Sequence, residues 1–193
     1  MELPPNQVTR GGGPRTRYWY GASISDFVNE SSDAVVGHLA TNAEFALLPT
    51  QRDAWLGQIA FLRSQLSNLR GSIFFEFSIP RMGRRIDVVL VIGAVVFAVE
   101  FKVGEKTLER AAKDQVWDYA LDLKNFHKAS HHIAIVPILI ATEATNCPPH
   151  VLVADADQVY RPILTTTKWF RAAIDAALID VHGENVAAMS GSN

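Results

Sequence analysis

Between Ile73 and Val103 the chain carries three runs in which apolar residues recur at every second position. They are Ile73–Ile79, Ile86–Ile92 and Val95–Val103, and only Gly93-Ala94 parts the last two. No other feature restricts the fold as much. Two residues are too few for a crossover, so these runs predict neighbouring antiparallel strands, and glycine in the first central position suits a type II′ hairpin turn. The turn sets the register: Ile92 faces Val95, Asp87 faces Glu100 and Arg85 faces Lys102. One side of the third run, Phe97, Val99, Phe101 and Val103, is wholly apolar. The other side changes from Val96 and Ala98 to Glu100 and Lys102.

That change needs a physical reason. Two carboxylates about 5 Å apart at an effective dielectric of about 20 repel by about 3 kcal/mol. A divalent cation between Asp87 and Glu100 removes the conflict, and oxygen ligands suit magnesium or manganese. Glu76 falls on the same side by parity and is a further candidate ligand. On the opposite side, Ile73, Phe75, Phe77 and Ile79 are expected to join Ile86, Val88, Leu90, Ile92 and the apolar side of the third run in one surface. A solvated hairpin end with alternating charges is the plainer alternative. The next helix argues against it. Thr107 suits its cap, the helix is expected to run to about Phe126, and Leu108, Ala112, Val116 and Leu123 share a stripe with Gln115 and Tyr119. A glutamine on a buried stripe needs a partner, and the charged end of the hairpin is the nearest polar surface.

Elsewhere the pattern is coarser. Residues 1–17, rich in Pro, Gly and Arg, read as a flexible arm, and 18–49 as short helices opened by Ser or Asp caps. Residues 52–69 form a helix with Trp55, Ile59, Leu62, Leu66 and Leu69 on one face, ended by Gly71. A strand is expected over 132–141, a short one near 151–154, a helix over 167–178 and a flexible tail over 181–193. Helix, strand meander, helix, strands and helix in that order predict an α/β fold, a mixed central sheet with helices on both faces. One domain over 18–180 accommodates it, with N-terminal helices in 18–70 and the motif-bearing core in 73–142.

Of the 193 residues 48% are hydrophobic, enough for a core, and the net charge of −2 excludes a broad basic footprint. Any nucleic-acid surface is therefore local, and residues 81–113 do carry seven Lys or Arg against four acids. Arg81, Arg84 and Arg85 lead into the charged end, where they suit phosphate contacts as well as a solvated turn. The single Cys147 excludes an internal disulfide and reads as structural. His127, His131 and His132 read as basic residues at a helix C-terminus rather than a zinc site. No secretory h-region and no membrane-length apolar run are visible, so the expectation is a cytoplasmic protein without a membrane partner.

Asp87, then Glu100-Phe101-Lys102 on the next strand, then Gln115-x-x-x-Tyr119 on the following helix resembles the PD-(D/E)xK nuclease superfamily, in its RecB-like branch. From about Tyr18 to Ala144 the chain also resembles the nuclease-like region N-terminal to bacterial P-loop, helicase-like ATPases, through IPRMGRRIDVVLVIG, VEFKVG and QVWDYALDLKNFH. The resemblance implies a restriction-endonuclease-like fold and hydrolysis of phosphodiesters, in DNA rather than RNA, in DNA repair or defence against foreign DNA. It implies that Asp87, Glu100 and the Phe101 carbonyl hold Mg²⁺ or Mn²⁺, that Lys102 orients water and stabilises charge on the phosphate, and that Gln115 and Tyr119 position groups around it. Many members carry an acid on the helix before the first strand. Gln58 is the nearest counterpart here, ahead of Glu44, and is with Glu76 a candidate further ligand. A helicase-like ATPase module is the implied partner, and a dimer is compatible. The rival reading is a catalytically weak nuclease-fold module that binds nucleic acid or regulates such an ATPase.

Overall fold

The computed structural model describes residues 17–43, 47–79, 83–126, 133–147, 149–155 and 157–190, the last seven of these by their backbone only. The chain is an α/β protein built on one six-stranded mixed sheet in sequence order: β1 (Tyr20–Ser23), β2 (Ser72–Ile79), β3 (Arg84–Ile92), β4 (Val95–Lys102), β5 (Ala134–Ala141) and β6 (Ile163–Thr166). The first four strands pair antiparallel, and β4, β5 and β6 run parallel. Between β1 and β2 come α1 (Ile24–Asn29), α2 (Ser32–Asn42) and α3 (Pro49–Leu66). The helix α4 (Arg110–Phe126) joins β4 to β5, and α5 (Phe170–Ser190) closes the chain.

Helices cover both faces of the sheet. On one face Phe27, Leu39, Ile59, Leu62, Phe170 and Ile174 pack with Phe75, Leu90, Phe97 and Ile138, which places α1, α2, α3 and α5 there. On the other, Tyr119, Ala120 and Leu123 of α4 pack with Val89, Val91, Val96, Ala98 and Ile135. The strands β4 and β5 are buried on both sides, as a sheet covered twice requires, and only Glu100 and Lys102 at the end of β4 interrupt their apolar character. No described helix is long and apolar enough to cross a membrane.

The hairpin turn behaves as its length dictates. Gly93 takes φ 60, the left-handed value that glycine adopts at little cost, and Ile92 pairs with Val95 and Val88 with Val99. Ser23 and Ser31 cap α1 and α2, accepting from the Asp26 and Ala34 N–H groups at 3.0 and 3.1 Å. Gly71 has another role than the expected one. The chain has already left α3 through Asn68 at φ 69, and Gly71 lies so close to β3 that a Cβ would overlap the Val91 carbonyl.

Several expectations are corrected. The segment expected to begin with short helices begins instead with β1, an edge strand whose four residues are too few to show alternation. The helix α4 starts at Arg110 rather than after Thr107, because the Glu109 carbonyl accepts its first bond, from the Lys113 N–H. Val151–Ala154 makes only an isolated bridge, Ala154 to Tyr160, and the sixth strand is Ile163–Thr166, just after Pro162. The last helix begins at Phe170 and runs to Ser190, across much of the stretch read as a tail. Residues 1–16 of the expected arm, Glu44 and the three histidines of 127–132 lie outside the described residues.

The largest correction concerns the expected single apolar surface. Phe77, Ile79 and Ile86 pack with α4, on the opposite side from Ile73, Phe75, Val88 and Leu90. Both strands therefore change sides at one level, between Phe75 and Phe77 in β2 and between Ile86 and Val88 in β3. The cause in β2 is Glu76, which holds a left-handed backbone at φ 51 inside the strand. The pairing of β2 with β3 skips it: Phe75 pairs with Val88 and Phe77 with Ile86, but Glu76 and Asp87 do not pair.

Candidate functional site

The site lies where that kink meets the carboxyl end of β4. The ladder between β3 and β4 stops at Val88 and Val99, so the next two residues, Asp87 and Glu100, face each other without main-chain pairing. In place of a carbonyl, the Phe101 N–H finds the Asp87 side chain and donates to Oδ2 at 2.8 Å. Asp87 is thereby tied to the main chain of the strand that carries Glu100.

Glu100 is 6% exposed. Its Oε1 accepts from Lys102 Nζ at 3.2 Å and from Gln115 Nε2 at 3.2 Å. Lys102 Nζ also donates to Gln115 Oε1 at 3.2 Å, and Gln115 Nε2 donates to the Tyr119 hydroxyl at 2.6 Å. Gln115 and Tyr119 thus face the sheet, one turn apart on α4, and Gln115 links the helix to both charged residues of β4. Lys102 keeps 27% of its side chain open to solvent. All the bonds to Glu100 fall on Oε1. Its Oε2 is sealed from solvent and has no hydrogen-bond partner.

The electrostatics follow from this crowding. Burial, then the charge of Glu100, pushes the Asp87 carboxyl well above the usual range, while the Phe101 N–H and Lys102 pull it down and Glu76 adds to the rise. Glu100 is raised by burial first, with Lys102 and the nearby Asp87 main chain opposing and Glu76 adding. Burial also raises the Tyr119 hydroxyl, against the pull of Gln115. Two carboxyls that both resist ionisation, one with an orphaned oxygen, form a donor set that fits a hard divalent cation.

No sequence or structure match identifies this arrangement. Comparisons with protein-family models, curated proteins and solved structures found no significant match.

The remaining candidates separate. Glu76 stands opposite Asp87, but its oxygens are engaged: Trp55 Nε1 donates to Oε1 at 3.0 Å, and Arg85 Nε lies 3.6 Å from Oε2. Burial raises its carboxyl, with Trp55 and Arg85 opposing. Among the described residues no three His, Cys, Asp or Glu side chains converge as a metal site. A cation here would find two carboxylates rather than three, and the Phe101 carbonyl and water would have to supply its other donors. Gln58 does not join the network and instead lines a cavity on the α3 side.

Arg85 is corrected twice. The β3–β4 ladder ends before it reaches Lys102, and the Arg85 guanidinium lies 4.2 Å from the Trp19 ring and beside Glu76, so it is committed to structure. Arg84 is exposed, and its charge acts on the Tyr119 hydroxyl. Arg81 lies outside the described residues. The sequence reading missed Trp55 and Trp19, the partners of Glu76 and Arg85. Trp55 reads only as one more apolar residue in the α3 stripe.

Proposed function

We propose that this protein is a metal-dependent nuclease of the PD-(D/E)xK type, with a restriction-endonuclease-like fold, acting on DNA in preference to RNA. One observation carries the reading: Asp87 and Glu100, whose Oε2 has no hydrogen-bond partner, come next past the end of the β3–β4 ladder, with Lys102 held beside Glu100 by Gln115. Asp87, Glu100 and the Phe101 carbonyl would hold Mg²⁺ or Mn²⁺, which when bound supplies Lewis-acid polarisation and a more acidic water.

The chain's own groups do the rest. Lys102, held by Glu100 and Gln115 yet partly open, presents its ammonium to a substrate phosphate and stabilises negative charge as it grows there. Tyr119 anchors the Gln115 amide, so the ammonium is aimed before substrate arrives. Arg84 offers a further phosphate contact at the same end.

The test is cleavage of plasmid and of labelled oligonucleotides by the parent, Glu100→Gln and Lys102→Ala, with and without Mg²⁺ or Mn²⁺. Metal-dependent cleavage by the parent alone supports the reading. The lack of a third carboxylate favours a second one, a nuclease-fold module that binds nucleic acid without cutting it. Tight binding by the parent with no cleavage under either metal would select it.

A further inference from the structure

On the α3 side of the sheet, a cavity of about 480 Å³ opens at the carboxyl ends of β4, β5 and β6. Its walls are Phe101 and Val103 at the end of β4, Thr142 after β5, Thr167 after β6, and one face of α3 that includes Gln58 and Phe61. The volume suits a small organic ligand, and the ends of parallel strands are where open α/β sheets bind them. The lining is mostly apolar, and Phe61 and Phe101 stand edge to face with centroids 5.9 Å apart.

Gln58 is the anomaly. It is 9% exposed, it lines this cavity, and its amide makes no hydrogen bond with any described residue. The amide is not sealed in the core but lines the cavity, so a donor and an acceptor stand side by side there for a ligand to meet. That pairing matches the edge of a nucleobase, and the aromatic lining offers one of its faces a surface to pack on. The cavity and the candidate site also share a strand. Phe101 turns into the cavity, while its neighbours Glu100 and Lys102 turn to the α4 side.

Resting on the nuclease reading, we infer that the cavity receives one unstacked base of the substrate strand whose phosphate lies at Lys102, with Gln58 reading the base edge. The strand crosses the end of β4 with its phosphate on one side and a base on the other. Single-stranded or locally opened nucleic acid is then the preferred substrate, because a base inside a duplex cannot enter.

Gly57 provides a clean test. It sits on the cavity-facing side of α3, and a Cβ there meets nothing within 4 Å. Gly57→Leu fills the space while improving helix propensity, so the variant should melt no lower than the parent. Fluorescence anisotropy with a short single-stranded oligonucleotide, Ca²⁺ replacing Mg²⁺, reads binding without cleavage. Gly57→Leu should bind about tenfold more weakly, the worth of one stacked base, and Gln58→Leu should also bind more weakly. An oligonucleotide of abasic sites should bind the parent and both variants equally. Equal affinity of parent and Gly57→Leu for the base-bearing strand, with metal-dependent cleavage intact in both, overturns the base pocket and leaves the nuclease reading standing. Loss of affinity in Gly57→Leu without cleavage by the parent keeps the pocket and rejects the nuclease. No binding to any oligonucleotide rejects both.

Discussion

Glu100 is asked to do two incompatible things in the metal-free protein: to hold Lys102 and Gln115 through one oxygen and to bury the other unpartnered. Glu100→Gln keeps the shape and removes the charge that raises Asp87. We expect metal-free Glu100→Gln to melt at or above the parent, since neutralisation relieves a repulsion of about 3 kcal/mol, while metal-dependent cleavage is lost. A clear drop in melting temperature would mean that the bond to Lys102 outweighs the strain. Lys102→Ala should keep its Mn²⁺ affinity yet cleave about 100- to 1000-fold more slowly, the scale of one lost charge-stabilising donor. The pH dependence has a definite sign. Asp87 and Glu100 have folded values raised above their ordinary 3.8 and 4.5, so the folded state binds protons more tightly than the unfolded chain. Their contribution to metal-free stability is complete below the ordinary carboxylate range and is lost as pH rises through the raised values. Melting curves from pH 4 upward should show this decline (about one pH unit per step suffices), and added Mg²⁺ at neutral pH should reverse it.

At the scale of elements, the meander was legible because Gly93-Ala94 leaves its strands a single pairing and three alternating runs supply the faces. The helix of Gln115 and Tyr119 was legible by its period, so its approach to the charged end of the hairpin could be anticipated. The change of sides at Glu76 and Asp87 could not. Alternation continues unbroken through Phe75, Glu76 and Phe77, and nothing local marks a non-glycine residue as left-handed. Short edge strands were equally hidden, since β1 and β6 owe their conformation to their neighbours in the sheet rather than to a pattern of their own. The two glycines that bracket β2 and β4 should respond differently to alanine. Gly93→Ala forces a left-handed alanine, a cost of about 1–2 kcal/mol. Gly71→Ala adds a Cβ that overlaps the Val91 carbonyl, so it must displace β3 and should be the more damaging, a ranking that denaturant melts of the two variants would check.

Across the whole molecule, β4 is the strand on which everything turns, antiparallel to β3 and parallel to β5, with both faces covered. Its amides should exchange with solvent among the slowest and those of β1 and β6 faster, measurable by hydrogen exchange. The net charge of −2 means that attraction to a polyanion depends on a few groups near the site. Nucleic-acid binding should weaken as salt rises, and Arg84→Ala should lower the salt slope by about one. The row formed by Glu76, Asp87 and Glu100 has one more consequence, for which changes of chain length the protein tolerates. Beyond that row β2 and β3 bury their residues in the opposite layer, while β4 keeps its faces. Inserting or deleting a single residue inside any of the three would misplace a carboxylate and turn the residues after it to the wrong side. Length variation among relatives of this protein should therefore be confined to the connections between elements, and a search for them would do better to weigh the spacing of the acidic residues than the identity of the apolar ones.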